Sequence, residues 1–585
     1  MKFGRLIPRK RRSLWAAGIA VSIAVLIWAG ARLSSVAPVN LGESHHPTLP
    51  SDRSGYRVEN EYLYRVQSLF QPTLEANRKE FTGWLGSVRG FGAGDVYPQV
   101  WLRDSATIIP ASRFYYSLDY LTSWLEEHLA HQGNDGQLYD WIAAGPPSHF
   151  VRYAPRVKQI YQSGPSFQLS ADKNTTEADQ ESSAVAAAYR VYQITGDRDW
   201  LTKKIIGKSI LERLDASLEY LIRERFDTRY GLILSAFTAD WGDVSPLYPD
   251  QRAIYLDPQT PQVVGLYTNC QFYRAANQLS EMWRSLDQNS RADYWRLKAS
   301  ATKDNLNRHL WQEDRGFYRM HLAVNPDRVR GWPDDSNIFA AGGNGLAVLY
   351  EIADAGKMRS VFDIAQKRSG TLGISSVSGA LLPPYPRGFF KHPLMKEEYS
   401  YQNGGQWDWF GGRFVLAEFE RGYAEPAYRH LVEIARKAVL GGGLYEWHTK
   451  EGRGRGSPKY SGSAGAVAAA CFQGLFGIYL RASGLELRVR LGSLSGHIQL
   501  HQPATDTLVK YRYRYDAQAG RVTMRYESNS SSEGSLSILL PKGGAVAALS
   551  LDGEERSFSL ETVGQDQYVK VSTDWSPHEL RLQFE

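Results

Sequence analysis

Cysteine is scarce in this chain. The 585 residues hold two, Cys270 and Cys471, each in a stretch of helical pattern beside apolar neighbours. Buried free thiols are expected, with a disulfide between them as the alternative in an exported chain. No group of cysteines and histidines has metal-ligand spacing, so neither a metal nor a cofactor is expected. A surplus of one charge is also missing from the body. Lys2, Arg5, Arg9, Lys10, Arg11 and Arg12 account for the whole net charge of +6. A neutral body excludes the basic surface that nucleic acid requires, so no nucleic-acid partner is expected. What is plentiful is aromatic: 16 Trp and 34 Tyr, enough for sugar-stacking surfaces as well as for a large helical core.

The basic start leads into Leu14 to Ala31, an uncharged and mostly apolar run ending in small residues. Such a run is a secretory signal or an uncleaved anchor, and at about 18 residues it just spans a bilayer. Positive flanks stay on the cytoplasmic side. The expectation is a signal anchor or transmembrane segment over residues 1–33, with the body outside the cytoplasm, in the periplasm or secreted. Residues 34–58 are polar, carry Pro38, Pro47 and Pro50, and read as a linker.

Residues 59–484 carry helical periodicity, with apolar positions three and four apart. Expected helices include Glu61–Lys79, Asp104–His128, Glu181–Thr195, Pro261–Leu286, Ile338–Asp354 and Ser463–Leu480. No strands alternate with them, and no short repeat recurs. Paired helices packed in a ring, with long loops gathered at one end, fit this pattern. Past residue 485 the texture changes. Val509, Tyr511, Tyr513 and Tyr515 alternate with Lys510, Arg512 and Arg514, a turn follows at Asp516 to Gly520, and alternation resumes. That is a hairpin, and residues 485–585 read as a small antiparallel β-sandwich.

Three segments carry candidate chemistry. Trp101-Leu102-Arg103-Asp104-Ser105 opens a helix with an Arg beside an Asp, a pair able to grip hydroxyls through charge-assisted hydrogen bonds. Asp240-Trp241-Gly242-Asp243 and Tyr445-Glu446-Trp447-His448 each set carboxylates beside a Trp in a turn-rich stretch. Two carboxyls across a sugar can act as acid and base on a glycosidic bond. Burial beside Trp241 and repulsion from Asp240 would keep Asp243 protonated near neutral pH. Gln402, Gln406 and Trp407 offer amides and a ring for sugar contacts. Glu177 and Glu181 share a helical face, and either could hold a hydroxyl. Arg453, Arg455 and Lys459, followed by Tyr460, could hold an anionic substituent.

The first segment resembles "W-x-R-D" of glucoamylases and "W-L-R-D-S" of exo-α-1,6-mannosidases, both six-hairpin (α/α)6 glycosidases. The second resembles "D-W-N-D" of the cellobiose and chitobiose phosphorylases, with Gly242 in place of the Asn. Its continuation to Pro246 is similar to the acid segment of the family containing α-glucosidase I and mannosylglycerate hydrolase. Glu446 to Ala464 resembles the base segment of those hydrolases, and Tyr401 to Trp407 resembles "Y-Q-N-G-G-x-W" of the phosphorylases. The resemblance implies a mainly α chain, an (α/α)6 toroid followed by the small β-sandwich. It further implies an inverting glycoside hydrolase with Asp243 as general acid and Glu446 as general base, acting on an α-glucoside or α-mannoside. Trp101, Arg103, Asp104, Glu181, Asp240, Trp241, Gln402, Gln406, Trp407, Trp447, His448, Lys459 and Tyr460 would then bind the carbohydrate. A phosphorylase of the same fold and a non-catalytic glycan-binding protein of the cell envelope are the alternatives. A base at 446 speaks for hydrolysis, since phosphorolysis needs no activated water.

Overall fold

The computed structural model describes residues 54–145, 159–162, 168–374, 376–530, 533–542 and 544–585. The segment expected to meet the membrane, residues 1–33, lies outside these. Among the described residues no helix is long and apolar enough to cross a membrane.

In chain order the helices are α1 (Glu61–Val66), α2 (Phe70–Ala76), α3 (Leu102–Ser112), α4 (Asp119–Ala130), α5 (Gln180–Thr195), α6 (Arg198–Thr202), α7 (Ile210–Glu224), α8 (Leu266–Ser285), α9 (Asn289–His309), α10 (Ala341–Leu349), α11 (Ala355–Leu372), α12 (Asp408–Glu420), α13 (Ala424–Gly441) and α14 (Ser461–Ala469). Helices α3, α5, α8, α10, α12 and α14 each touch the next, and α14 returns to α3, so these inner helices close a ring. The outer helices pack on it: α7 against α5 and α8, α9 against α8, α13 against α12.

The two layers differ in sequence for a physical reason. Outer helix α7 starts at a capping box between Ser209 and Glu212 and buries Leu211, Leu214, Leu218 and Leu221 along one face. Inner helix α14 reads Ser-Gly-Ser-Ala-Gly-Ala-Val-Ala-Ala and is buried at every position, so it has no solvent face to make polar. Its small residues set the ring's diameter. A Cβ on Gly465 would stand 2.4 Å from the carbonyl oxygen of Thr107 on α3, and one on Gly412 of α12 would stand 2.6 Å from the carbonyl carbon of Ala466. Glycine inside a helix is unfavourable by itself; here it allows three helices to meet.

Two sheets at the C-terminal end share one hydrophobic core with the ring. One has seven strands and the other five. The expected hairpin is present as Thr507–Asp516 paired with Arg521–Ser528, with Val509, Tyr511 and Tyr513 buried. Five expectations need correction. The sheet begins at Ile478, ahead of residue 485. Gly55–Val58, expected as linker, is a strand paired with Gly496–Gln499. Glu486–Val489 pairs in parallel with Ser535–Ile538, so the sandwich is not wholly antiparallel. Strand is also more abundant than a mainly α chain implies, at about 26 % against 39 % helix. Much of that excess lies between helices, in short strands such as Val100–Trp101 and Gln262–Gly265 that lead directly into α3 and α8. Asp104–His128, expected as one helix, breaks into α3 and α4.

Candidate active site

Strand Val100–Trp101 pairs with Trp141 and Ile142 and passes straight into α3. Arg103 and Asp104 therefore fall in the first helical turn, at one end of the ring. Arg103 does not face open space. Its Nη1 lies 2.9 Å from Glu177 Oε1 and 3.7 Å from Asp179 Oδ2, both just ahead of α5. The same nitrogen donates to the carbonyl of Trp241 at 3.1 Å. Arg103 thus ties the starts of two inner helices to the loop that carries Asp243. Asp104 is buried, and its Oδ1 accepts from the Tyr460 hydroxyl at 2.8 Å. Burial raises its pKa, while Arg103 and the Tyr460 hydrogen bond oppose the rise.

Asp243 follows the turn at Ala239 to Gly242. Its carbonyl accepts from Asn174 Nδ2 at 2.8 Å and Thr176 Oγ1 at 3.1 Å. Its carboxylate Oδ1 accepts from Gln402 Nε2 at 2.8 Å. Glycine at 242 has a local cause: a Cβ there would sit 2.9 Å from Gln402 Oε1. The amide that holds Asp243 fills the space an Asn side chain would take.

Glu446 is buried beneath the loop Gly452 to Pro458. Both carboxylate oxygens accept from the Tyr97 hydroxyl, at 3.1 and 3.2 Å, and Oε2 accepts from the Ser457 amide at 3.2 Å. Gly456, at φ +68°, passes so close that a Cβ would lie 2.3 Å from Oε2. Burial pushes the Glu446 carboxyl up to about 7; the Ser457 and Tyr97 hydrogen bonds oppose that, and the charges of Asp104 and Asp243 add to it. The Tyr97 phenol feels Glu446, Asp243 and Asp104 together, and Tyr401 feels Asp243 and Glu446. The three carboxylates therefore share one electrostatic site, with the two tyrosines among them. Tyr401 stands at φ +47°, a strained backbone for an aromatic residue of the sort that gathers at functional sites.

Other expected site residues serve the frame. Glu181 is fully buried, its Oε1 in an ion pair with Lys173 at 2.7 Å and accepting from the Leu138 amide. Asp240 does not stand beside Asp243 as a repelling charge. It adopts φ +58°, and its Oδ2 accepts from the Gly343 amide at the start of α10 at 2.8 Å. Burial alone lifts its carboxyl to about 7, with the Gly343 hydrogen bond opposing. Gln406 spends its amide on the carbonyls of Thr449 and Lys450 and its oxygen on Ser376 and Lys437. His448 is buried beside Asp408 and Lys437, and burial lowers its pKa to about 4. Trp407 donates to the Tyr401 carbonyl and packs edge-on against Trp241 and Tyr460. Trp447 is buried and meets Tyr401; Trp101 is half-buried against Trp141. Arg453, Arg455 and Lys459 lie exposed on the loop surface, which fits a solvated loop better than an anion grip.

Reading the sequence missed Tyr97, Asn174 and Ser457. Tyr97 had a signal: Gly90, Gly92 and Gly94 immediately precede it, a loop able to approach other backbone closely, four residues before Trp101.

Residues 97–337 match the mannosylglycerate hydrolase MGH1-like glycoside hydrolase domain, a span that starts at Tyr97 and includes Asp104 and Asp243. Among curated proteins none matches the chain. Several solved structures share its fold. An α-L-rhamnosidase from Dictyoglumus thermophilum aligns at TM-score 0.59 and 13 % identity, over 93 % of this chain and 51 % of its own. The rhamnosidase of Bacillus sp. GL1 aligns at 0.56 and 12 %, over 85 % and 43 %. The Streptomyces avermitilis α-L-rhamnosidase, solved with L-rhamnose, aligns at 0.54 and 14 %, over 92 % and 42 %. The chain spans about half the length of these proteins, and at such identity they speak for the fold alone. Residues 97–337 are thus similar to an MGH1-like glycoside hydrolase domain, and the closed ring of inner helices belongs to a fold that the chain shares with these rhamnosidases.

Proposed function

We propose that the protein hydrolyses a glycosidic bond with inversion, Asp243 acting as acid and Glu446 as base. The observation that carries this reading is the shared site of Asp243, Glu446 and Asp104, with Asp243 held by Gln402 and Glu446 held by Tyr97 and Ser457. Glu446 accepts from two donors, the Tyr97 hydroxyl shared between its two oxygens and the Ser457 amide, which fix the carboxyl in place. Asp243 is held through Oδ1 by Gln402, while Oδ2 has no protein partner among the described residues. In the reaction, the Asp243 proton passes to the departing oxygen as the C1–O bond breaks. A water gives its proton to Glu446 as its oxygen bonds C1 from the opposite face. Asp104 holds hydroxyls of the sugar undergoing attack. Trp241 Nε1 and Gln402 Oε1 are buried without protein partners, and both suit a hydroxyl.

The family description favours a mannoside, and the earlier motif likenesses add an α-glucoside. The apolar run Leu14 to Ala31 behind its basic start supports an enzyme working outside the cytoplasm, tethered or secreted. The test is a panel of aryl glycosides and α-linked disaccharides, with and without phosphate, with the product anomer followed by NMR. Phosphate-independent release of the inverted anomer, abolished by Asp243→Asn and by Glu446→Gln, is the expected outcome. A strict need for phosphate, or a retained anomer, overturns the reading.

A further inference from the structure

The ring has a second mouth. The candidate active site lies at the N-terminal ends of the inner helices; at their C-terminal ends is a cavity of about 440 Å³, within the size range of small-molecule sites. Nothing in the proposed hydrolysis uses it.

Its walls are rich in arginine. Arg113, Arg190, Arg274, Arg413, Arg421 and Arg481 all line it, against three carboxylates, Glu281, Glu351 and Glu420. Those carboxylates are engaged: Glu351 pairs with Arg421 at 2.6 Å, Glu420 takes the Tyr479 hydroxyl and lies 3.8 Å from Arg490, and Glu281 takes the Tyr189 hydroxyl. Some of the cations have structural work. Arg113 donates to the carbonyl of Leu480, Arg190 to that of Ala106 and Arg421 to that of Leu349 at the C-terminal end of α10. Arg274 and Arg413 do not. Among the described residues neither has a carboxylate within ion-pair distance or an acceptor for any of its donors. Arg274 lies 4.5 Å over the Tyr350 ring. Arg413 lies 4.7 Å over Trp409, and its two terminal nitrogens are buried without partners. The crowding is felt nearby: burial, then Arg274, Arg413 and Arg113, bring the Arg190 pKa down to about 9.

A guanidinium keeps its charge and has five donors in a planar fork matched to oxyanions. Two such forks without protein acceptors, facing one cavity with a surplus of positive charge, need an acceptor from outside the chain. We propose that this far mouth binds a small, multiply charged oxyanion, held in bidentate fashion by Arg274 and Arg413. Arg274 touches nothing in the glycosidase site, while the charge of Arg413 reaches Asp104, so Arg274→Gln is the variant that tests this proposal apart from the glycosidase reading.

The experiment is calorimetric titration of the full chain with inorganic pyrophosphate and, separately, with citrate, at constant ionic strength, paired with thermal melts. One saturable site is expected. Arg274→Gln should weaken it at least about tenfold, the order of one lost charge-assisted pair, and should remove the rise in melting temperature. Preference for pyrophosphate assigns a phosphate-bearing ligand; preference for citrate assigns a polycarboxylate. Arg413→Gln should weaken binding likewise. If that variant does not fold, Arg274→Gln carries the test, because its side chain makes no hydrogen bond within the protein. No saturable heat, equal affinity in Arg274→Gln, or an equal melting shift from sodium chloride would mean that water alone solvates these arginines, and the proposal falls.

Discussion

At the scale of single residues, the buried Glu446 carboxyl ties activity to stability. Its folded pKa of about 7 lies above its ordinary value of 4.5. Such a group binds protons more tightly in the folded state, so it opposes folding increasingly as pH rises from about 4.5 to about 7, with the full cost above that. The cost is about 3 kcal/mol at one pKa unit per 1.36 kcal/mol. Glu446→Gln should melt higher than the parent at pH 8 and at the same temperature at pH 4, while its turnover falls by roughly 10²–10⁴-fold, the usual share of an acid or base. Calorimetry at both pH values and a rate assay check the two halves. Tyr97→Phe removes a donor that holds the Glu446 pKa down. The acid limb of its kcat/KM profile should move to higher pH, by up to about one unit for one hydrogen bond. An unmoved or downward limb would show that Tyr97 does not position the base.

At the scale of elements, two glycines and one aspartate decide how the inner helices begin and meet. Asp240 combines a left-handed backbone with a cap on the first turn of α10. Asn tolerates that conformation and can still accept; Ala does neither. Asp240→Asn should therefore keep its urea midpoint, and Asp240→Ala should lose about 2 kcal/mol. Gly465→Ala places a methyl 2.4 Å from the Thr107 carbonyl, so α14 must move from α3. A loss of about 1–3 kcal/mol is expected from such overpacking, with reduced activity, since Asp104 and Tyr460 sit at the starts of the separated helices. Denaturant titration and a rate assay read both. The periodicity of Asp104–His128 was visible, but its break was not, because Arg113 to Leu118 is set by contacts with the β-sandwich and the hairpin Arg78–Phe91 rather than by local preference.

At the scale of the whole molecule, ring and sheets share one hydrophobic core. Tyr56, from the strand Gly55–Val58, is 1 % exposed. It donates to the Leu63 carbonyl at 2.9 Å and to Cys471 Sγ at 3.3 Å, and its ring meets Phe472 and Phe476. It thus joins the seven-stranded sheet to the ring. Tyr56→Ala should cost roughly 3–5 kcal/mol, the range for a large buried aromatic, and should lower a single unfolding transition rather than split it in two. Two separated transitions by calorimetry would show that the sheets and the ring fold independently.

The residue order by itself determined whatever depends on neighbours along the chain. The outer helices show in three- and four-residue spacing, the hairpin at Thr507 in strict alternation, and the candidate site segments in carboxylates set beside Trp. Only tertiary structure decided which polar side chains are held by partners on other elements. Glu181 and Gln406 carry the same chemistry as Asp104 and Gln402, yet Lys173 and the Thr449 carbonyl hold them. The partners of a buried polar side chain lie on other elements, tens to hundreds of positions away, and no local pattern records them. The same distance hid Tyr97, whose hydroxyl meets Glu446 from 349 residues upstream.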